Sequence, residues 1–250
     1  MLEVHDHASI RTIRLARPPV NALHAPLLES LAAAVARAPA EGARGLVLTG
    51  SGGRYSAGLD VQALAALDPA GLEAFLVTFF DCLTVLATCP VPIVAAINGA
   101  SPAGGAVLAL YCDRRIMARG DFRIGLNEVQ VGLYPGPLIH RVLARIVGAR
   151  LGAELLITGA LLTPAEALAS GFVDELAEPA ELEPRARAWR ERVLALPAHA
   201  FLATRALVRR DLVELMTTGS AADRAALAAA WGGPETRAAL AALLARLGRK

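Results

Sequence analysis

The chain has 250 residues, 55% of them hydrophobic and 19% charged, which is enough apolar material for a large core and too much for a disordered segment. Its formal net charge of +2, with arginines interspersed among acids and no basic aromatic cluster, gives no electrostatic case for nucleic acid or an anionic membrane. The only lysine is Lys250, so Schiff-base, pyridoxal-phosphate and Walker-type lysine chemistry are excluded upstream of the last residue.

Ser9 to Leu15 reads as a strand stopped by Pro18-Pro19. After Asn21-Ala22-Leu23 comes a helix with Leu27, Leu28, Leu31 and Val35 on one face. Gly45 to Leu48 reads as a buried strand, and the loop Gly50 to Asp60 feeds a helix from about Val61. A helix over Leu72 to Ala87 ends at Cys89-Pro90, and a strand over Pro92 to Ile97 breaks at Asn98-Gly99. Ala103, Gly104 and Gly105 then open an apolar helix through Leu110. Leu138, Val142, Ile146 and Val147 mark a further helix ended by Gly148. Thr163-Pro164-Ala165-Glu166 is a capping box with Gly171 as the stop, and Phe172 to Leu176 reads as a short strand.

Beyond Pro179 only helical patterns remain, and the composition becomes Ala/Leu/Arg-rich. Strands alternating with helices upstream predict an α/β core over residues 1–196, with a helical subdomain over 197–250. No apolar run reaches membrane-span length in this reading, and MLEVHDHASIR lacks the pattern of a signal peptide, so a cytoplasmic location is expected. Cys82, Cys89 and Cys112 read as buried free thiols. The five histidines have no metal-ligand spacing, so no metal site is expected. His140 and His199 read as surface or capping residues. The arginine-rich segments 141–150 and 205–210 read as solvated helix faces.

Two loops and one acid carry the chemistry. Ser56-Ala57-Gly58-Leu59-Asp60 and Pro102-Ala103-Gly104-Gly105 each lie between a strand and a helix, with side chains small enough for a ligand to approach the backbone. Either alone would be an ordinary tight turn. Together they can give one N–H each to a single oxygen, as in an oxyanion hole. A glutamate in a turn is ordinarily solvated, yet Glu128 is flanked by Ile124, Leu126, Val129, Val131 and Leu133. Burial there would raise its pKa and suit it to general-base work.

In combination and in this order, SAGLD, INGASPAGG, CDRRIMA and IGLNEVQVGL resemble the crotonase (enoyl-CoA hydratase/isomerase) superfamily. The PAGG and IGLNE signatures look most like those of the mitochondrial-type Δ3,Δ2-enoyl-CoA isomerases. The resemblance runs from the N-terminal strand to about Leu176 and more loosely beyond. It implies a spiral of ββα units, followed by C-terminal helices that make homotrimers or dimers of trimers. It also implies an acyl-CoA thioester as substrate and partner, with coenzyme A belonging to the substrate and no separate cofactor. Carried over by motif, the oxyanion donors are the backbone N–H groups of Leu59 and Gly104. Ala57, Gly58, Asp60 and Val61 would line the CoA and thioester path, and Asn127 and Glu128 would face the acyl carbons beside the carbonyl. Arg17 could meet a CoA phosphate, although an exposed arginine is the simpler reading.

One departure is informative. Family hydratases place a first glutamate in a GGGCE-like helix start, where PAGGAV puts Val107. Valine can neither hold nor activate water. A lone acid at Glu128 is the arrangement for moving a 3,4 double bond to the 2,3 position. A hydratase with less need of the first acid and a non-catalytic CoA-binding protein remain alternatives. A serine hydrolase built on Gly99-Ala100-Ser101-Pro102-Ala103 fails the G-x-S-x-G pattern at Ala103, and Pro102 has no N–H to offer an oxyanion.

Overall fold

The computed structural model describes residues 1–219 and 221–247; Lys250 lies outside them. An antiparallel hairpin, β1 (Leu2–His7) and β2 (Ile10–Leu15), begins the chain, followed by α1 (Ala25–Arg37) and β3 (Gly45–Gly50). Next come α2 (Val61–Ala65), α3 (Pro69–Thr88), β4 (Ile93–Ile97), β5 (Ser101–Pro102), α4 (Gly104–Leu110), β6 (Arg114–Ala118) and β7 (Ile124–Gly125). A 3₁₀ turn over Glu128–Val131 leads into α5 (Gly136–Val147), α6 (Ala149–Thr158), α7 (Pro164–Ala169) and β8 (Glu175–Ala177). Five helices finish the described chain: α8 (Leu182–Leu194), α9 (Ala198–Val208), α10 (Arg210–Thr218), α11 (Ala221–Gly232) and α12 (Pro234–Leu247).

The main sheet runs β1-β2-β3-β4-β6-β8, parallel from β2 onward. A second tier is built from short segments that follow the main strands: the Leu23–Leu59 bridge, the parallel pair β5-β7 and the Ile124–Leu162 bridge. This is the mixed α/β spiral with C-terminal helices that the resemblance implied.

Strands β3 and β4 are buried on both faces. Leu46, Leu48, Ile93, Ala95 and Ile97 enter the larger core, while Val47, Val94 and Ala96 join a smaller one under Leu182 and Ala186 of α8. Two-sided burial is why GLVL and IVAAI read as continuous apolar runs.

Three strands of the main sheet depart from the sequence reading. The hairpin strand β1 is mostly exposed, so LEVHDH carries no apolar signal, and β6 is masked by its paired arginines. The strand predicted over Phe172 to Leu176 begins later, at Glu175, because Phe172 and Val173 are spent on packing ahead of it. Helix α3 corrects the membrane expectation. It is 20 residues long and apolar enough to cross a membrane by length and composition. Its Leu72, Phe75, Leu76, Phe79, Phe80, Leu83 and Leu86 are instead buried, against α1, α10 and α11 among its neighbours.

The arginines at 205 and 209 are likewise not solvated. Arg205 makes a two-point ion pair with Asp113 (2.7 and 2.9 Å) and donates to Cys89 O. Buried Arg209 donates to Leu86 O, Ala87 O and Tyr111 O. Leu212, Met216, Leu227, Trp231 and Leu240 from α10, α11 and α12 belong to the larger core.

Candidate active site

The two glycine loops are stitched to each other before any ligand is considered. Asn98 donates from Nδ2 to Gly50 O (2.7 Å) and accepts at Oδ1 from Gly50 N. Fully buried Asn21 donates to Ser51 O and Arg54 O, and its own carbonyl accepts from Ser56 Oγ (2.8 Å). Gly99 packs so tightly on the first loop that an added Cβ would fall 2.0 Å from Gly53 O.

This stitching leaves the Leu59 amide free in the first loop and, at the start of α4, the Gly104 amide free in the second. In the first, Ala57 N donates to Val20 O, Gly58 N to Ser56 Oγ and Asp60 N to Leu23 O. The Leu59 N–H has no acceptor among the described residues, because the parallel bridge to Leu23 uses the groups on either side of it. In the second loop Ser101 N donates to Arg123 O and Ala103 N to Gly125 O, while Pro102 has no N–H. Gly104 then opens α4, and its N–H has no acceptor among the described residues, as expected for the first residue of a helix. Ala103 holds a left-handed φ of 47° with ψ −123°, a strained conformation for a side-chain-bearing residue, and that kink turns Gly104 out of the β5 direction. The free amides adjoin: a Cβ built on Gly104 would lie 3.3 Å from Leu59 N.

Both face a cavity of about 690 Å³ that also receives Ala57, Asp60, Val61, Val107, Asn127 and Glu128. Its remaining walls are chiefly apolar, with Phe79 and Phe80 from α3, Ile139 from α5, and Leu227, Trp231, Leu243 and Leu244 from α11 and α12.

Two acids line the cavity. Asp60 is committed: Oδ1 caps α2 through Ala63 N and Oδ2 meets Arg17 Nη2 at 2.6 Å. Burial pushes its carboxyl up, but the Ala63 N–H and the Arg17 guanidinium outweigh that and hold it below its ordinary value. Glu128 is 6% exposed, and its Oε2 has no hydrogen-bond partner among the described residues. Burial pushes this carboxyl up to about 7, against a pull downward from its own backbone N–H. An acid that changes charge near neutral pH, facing two undischarged amides, can take a proton from a carbon beside a carbonyl while those amides stabilise the oxygen.

Of the residues singled out from the sequence, Leu59, Gly104, Glu128, Ala57, Asp60, Val61 and Asn127 share this cavity. Gly58 stands behind it, with its N–H on Ser56 and its carbonyl on Leu23 N. Arg17 is not a loose surface arginine; it binds Asp60 and Ala22 O, tying together the segments that carry the first amide. Ser101 Oγ is fully buried and does not reach the cavity, which removes the hydrolase nucleophile. His140 and His199 are exposed and lie outside it. All three cysteines are buried and free; burial pushes Cys82 and Cys112 to about 12. Among the described residues no group of three or more His, Cys, Asp or Glu side chains could hold a metal ion. The walls from Phe79, Phe80, Trp231, Leu243 and Leu244 went unread in the sequence, where they look like any helix core.

Known proteins are similar over nearly the whole chain. The family model described as enoyl-CoA hydratase/isomerase matches residues 5–237. Mitochondrial enoyl-CoA delta isomerase 1 of Mus musculus is 32% identical over 226 residues, 89% of this chain and 78% of that protein. A probable enoyl-CoA hydratase of Mycobacterium avium is 34% identical over 200 residues, 80% and 77% of the two chains. The crystal structure of human mitochondrial delta3-delta2-enoyl-CoA isomerase superposes with a TM-score of 0.94 at 30% identity, covering 99% of this chain and 98% of that one.

Proposed function

Because the chain belongs to the enoyl-CoA hydratase/isomerase family, we propose that it is a Δ3,Δ2-enoyl-CoA isomerase working through one carboxylate. In this reading the thioester carbonyl of a 3-enoyl-CoA lies against the N–H groups of Leu59 and Gly104. Their hydrogen bonds strengthen as charge builds on the oxygen, which makes the C2 proton acidic. Glu128 removes that proton as a dienolate forms and returns it to C4, so the double bond moves into conjugation. The proton taken from C2 ends on C4 and Glu128 is left ionised again, so the steps consume no water and transfer no electrons to a cofactor.

The observation that carries the reading is the single uncommitted acid. Glu128 has no carboxylate partner across the cavity, since Asp60 is held by Arg17 and the wall at α4 is Val107. A hydratase must grip and activate a water, and similarity to a probable hydratase keeps that reaction as the second reading. Val107 speaks against it, being 2% exposed and unable to hydrogen bond.

Exposed Val129, Tyr134, Ile157, Leu207 and Val208 would support a homotrimer or dimer of trimers, which sedimentation would test. The deciding experiment for the reaction offers the protein a 3-enoyl-CoA ester and follows the absorbance of the conjugated 2-enoyl product. Conversion that disappears in Glu128→Gln supports the isomerase. An inert wild type, or rapid 3-hydroxy product from a 2-enoyl-CoA, would overturn it.

A further inference from the structure

Next to the 690 Å³ cavity lies a second one of about 170 Å³, walled by Leu64, Leu67, Leu72, Leu240, Ala241 and Arg237. Two residues line both: Trp231 of α11 and Leu244 of α12. Trp231 is 5% exposed, and its indole N–H donates to Tyr134 O at 2.8 Å, so the ring is pinned from the α5 side. Tyr134 sits between Leu133 and Pro135, themselves walls of the larger cavity.

We propose that Trp231, backed by Leu244, is the partition that ends the acyl pocket and sets the acyl-chain length this protein accepts. The inference rests on the acyl-CoA reading of the site. A chain entering the larger cavity gains affinity with each methylene buried, about fourfold per group, equivalent to about 0.8 kcal/mol. Once it meets the indole, further methylenes must fold back or push outward, and the gain stops. The smaller cavity beyond is apolar on most sides, so removing the partition extends the pocket along further apolar wall from Leu64, Leu67, Leu72 and Leu240.

The test measures binding of saturated acyl-CoA thioesters of graded length to the whole chain by calorimetry, a readout independent of turnover. Wild type should gain about fourfold per methylene up to a plateau. Trp231→Ala should move that plateau to longer chains. Leu244→Ala, a milder change on the half-buried α12 side, should move it the same way and stands in if the tryptophan variant does not fold. Adding Ala241→Phe to either variant refills the smaller cavity and should bring the plateau back. A plateau unmoved in the folded single variants, or one that Ala241→Phe does not restore, overturns the partition alone. If wild type binds none of the thioesters at any length, the partition and the acyl-CoA reading fall together.

Discussion

Arg17 Nη2 lies 2.6 Å from Asp60 Oδ2, and that contact decides which of the cavity's two acids is free to move a proton. The same guanidinium donates to Ala22 O, so one side chain neutralises Asp60 and joins the segments flanking Leu59. Arg17→Met should lower stability by roughly 1–2 kcal/mol, the scale of charged hydrogen bonds left unmade. It should also lower kcat more than it raises KM, because the Leu59 amide loses its support. Urea midpoints and steady-state kinetics on a 3-enoyl-CoA check both; an unchanged kcat would show that the loop holds its place without Arg17.

Glu128→Gln should cut isomerisation by about a hundred- to ten-thousandfold, the usual share of general acid–base catalysis. The same change should stabilise the fold at alkaline pH. Glu128 titrates at about 7 when folded and near 4.5 unfolded. Between those values the folded state holds more protons, so wild-type stability falls as pH rises through that window and stays low above it. The difference amounts to roughly 3 kcal/mol. Unfolding curves of the two proteins should converge near pH 4.5 and separate above 7, with the variant higher.

A base that must be ionised to accept the C2 proton gives a kcat/KM that rises with pH and levels off just above the folded value of about 7. Below that point the rate should drop tenfold per pH unit. A profile flat from pH 5 to 8 would mean that Glu128 is not the group taking the proton.

Val107→Glu places a second carboxyl across the cavity. Hydration of a 2-enoyl-CoA should appear above the wild-type background, isomerisation should fall, and stability should drop by about 1–3 kcal/mol for the desolvated acid. Product analysis by chromatography reads the switch. No 3-hydroxy product from a folded variant would show that more than this side chain separates the two reactions.

Gly104→Ala tests the amide pair without touching charge. The added methyl would press to 3.1 Å on Leu23 Cδ1 and Leu59 Cδ2 and 3.3 Å on Leu59 N, into the gap the carbonyl needs. Losing one such donor typically costs about a hundred- to a thousandfold in kcat. A methyl that the two leucines can yield to should change the unfolding midpoint far less than the rate.

How much was legible in advance depended on distance along the chain. Leu59, Gly104 and Glu128 sit in local patterns, two small-residue turns and an acid among apolar neighbours, and these are visible within ten residues. The cavity walls were not, because apolar periodicity on α3, α11 and α12 reads the same whether the face meets another side chain or a void. Arg205 and Arg209 looked solvated for a related reason. A charge reveals the cost of burying it, but not that Asp113 lies ninety residues upstream waiting for it. Gly58 belongs to the motif, yet both of its backbone groups are spent on holding Leu59 in place.

Arg205 and Arg209 close their bonds onto carbonyls at the end of α3 and beside Asp113, all made more than ninety residues earlier in synthesis. A nascent chain that has not yet delivered them carries a buried acid without its counter-charge and a helix end without its donors. The end of α3 and the turn at Asp113 therefore stay without these bonds on the ribosome until Arg205 and Arg209 have emerged.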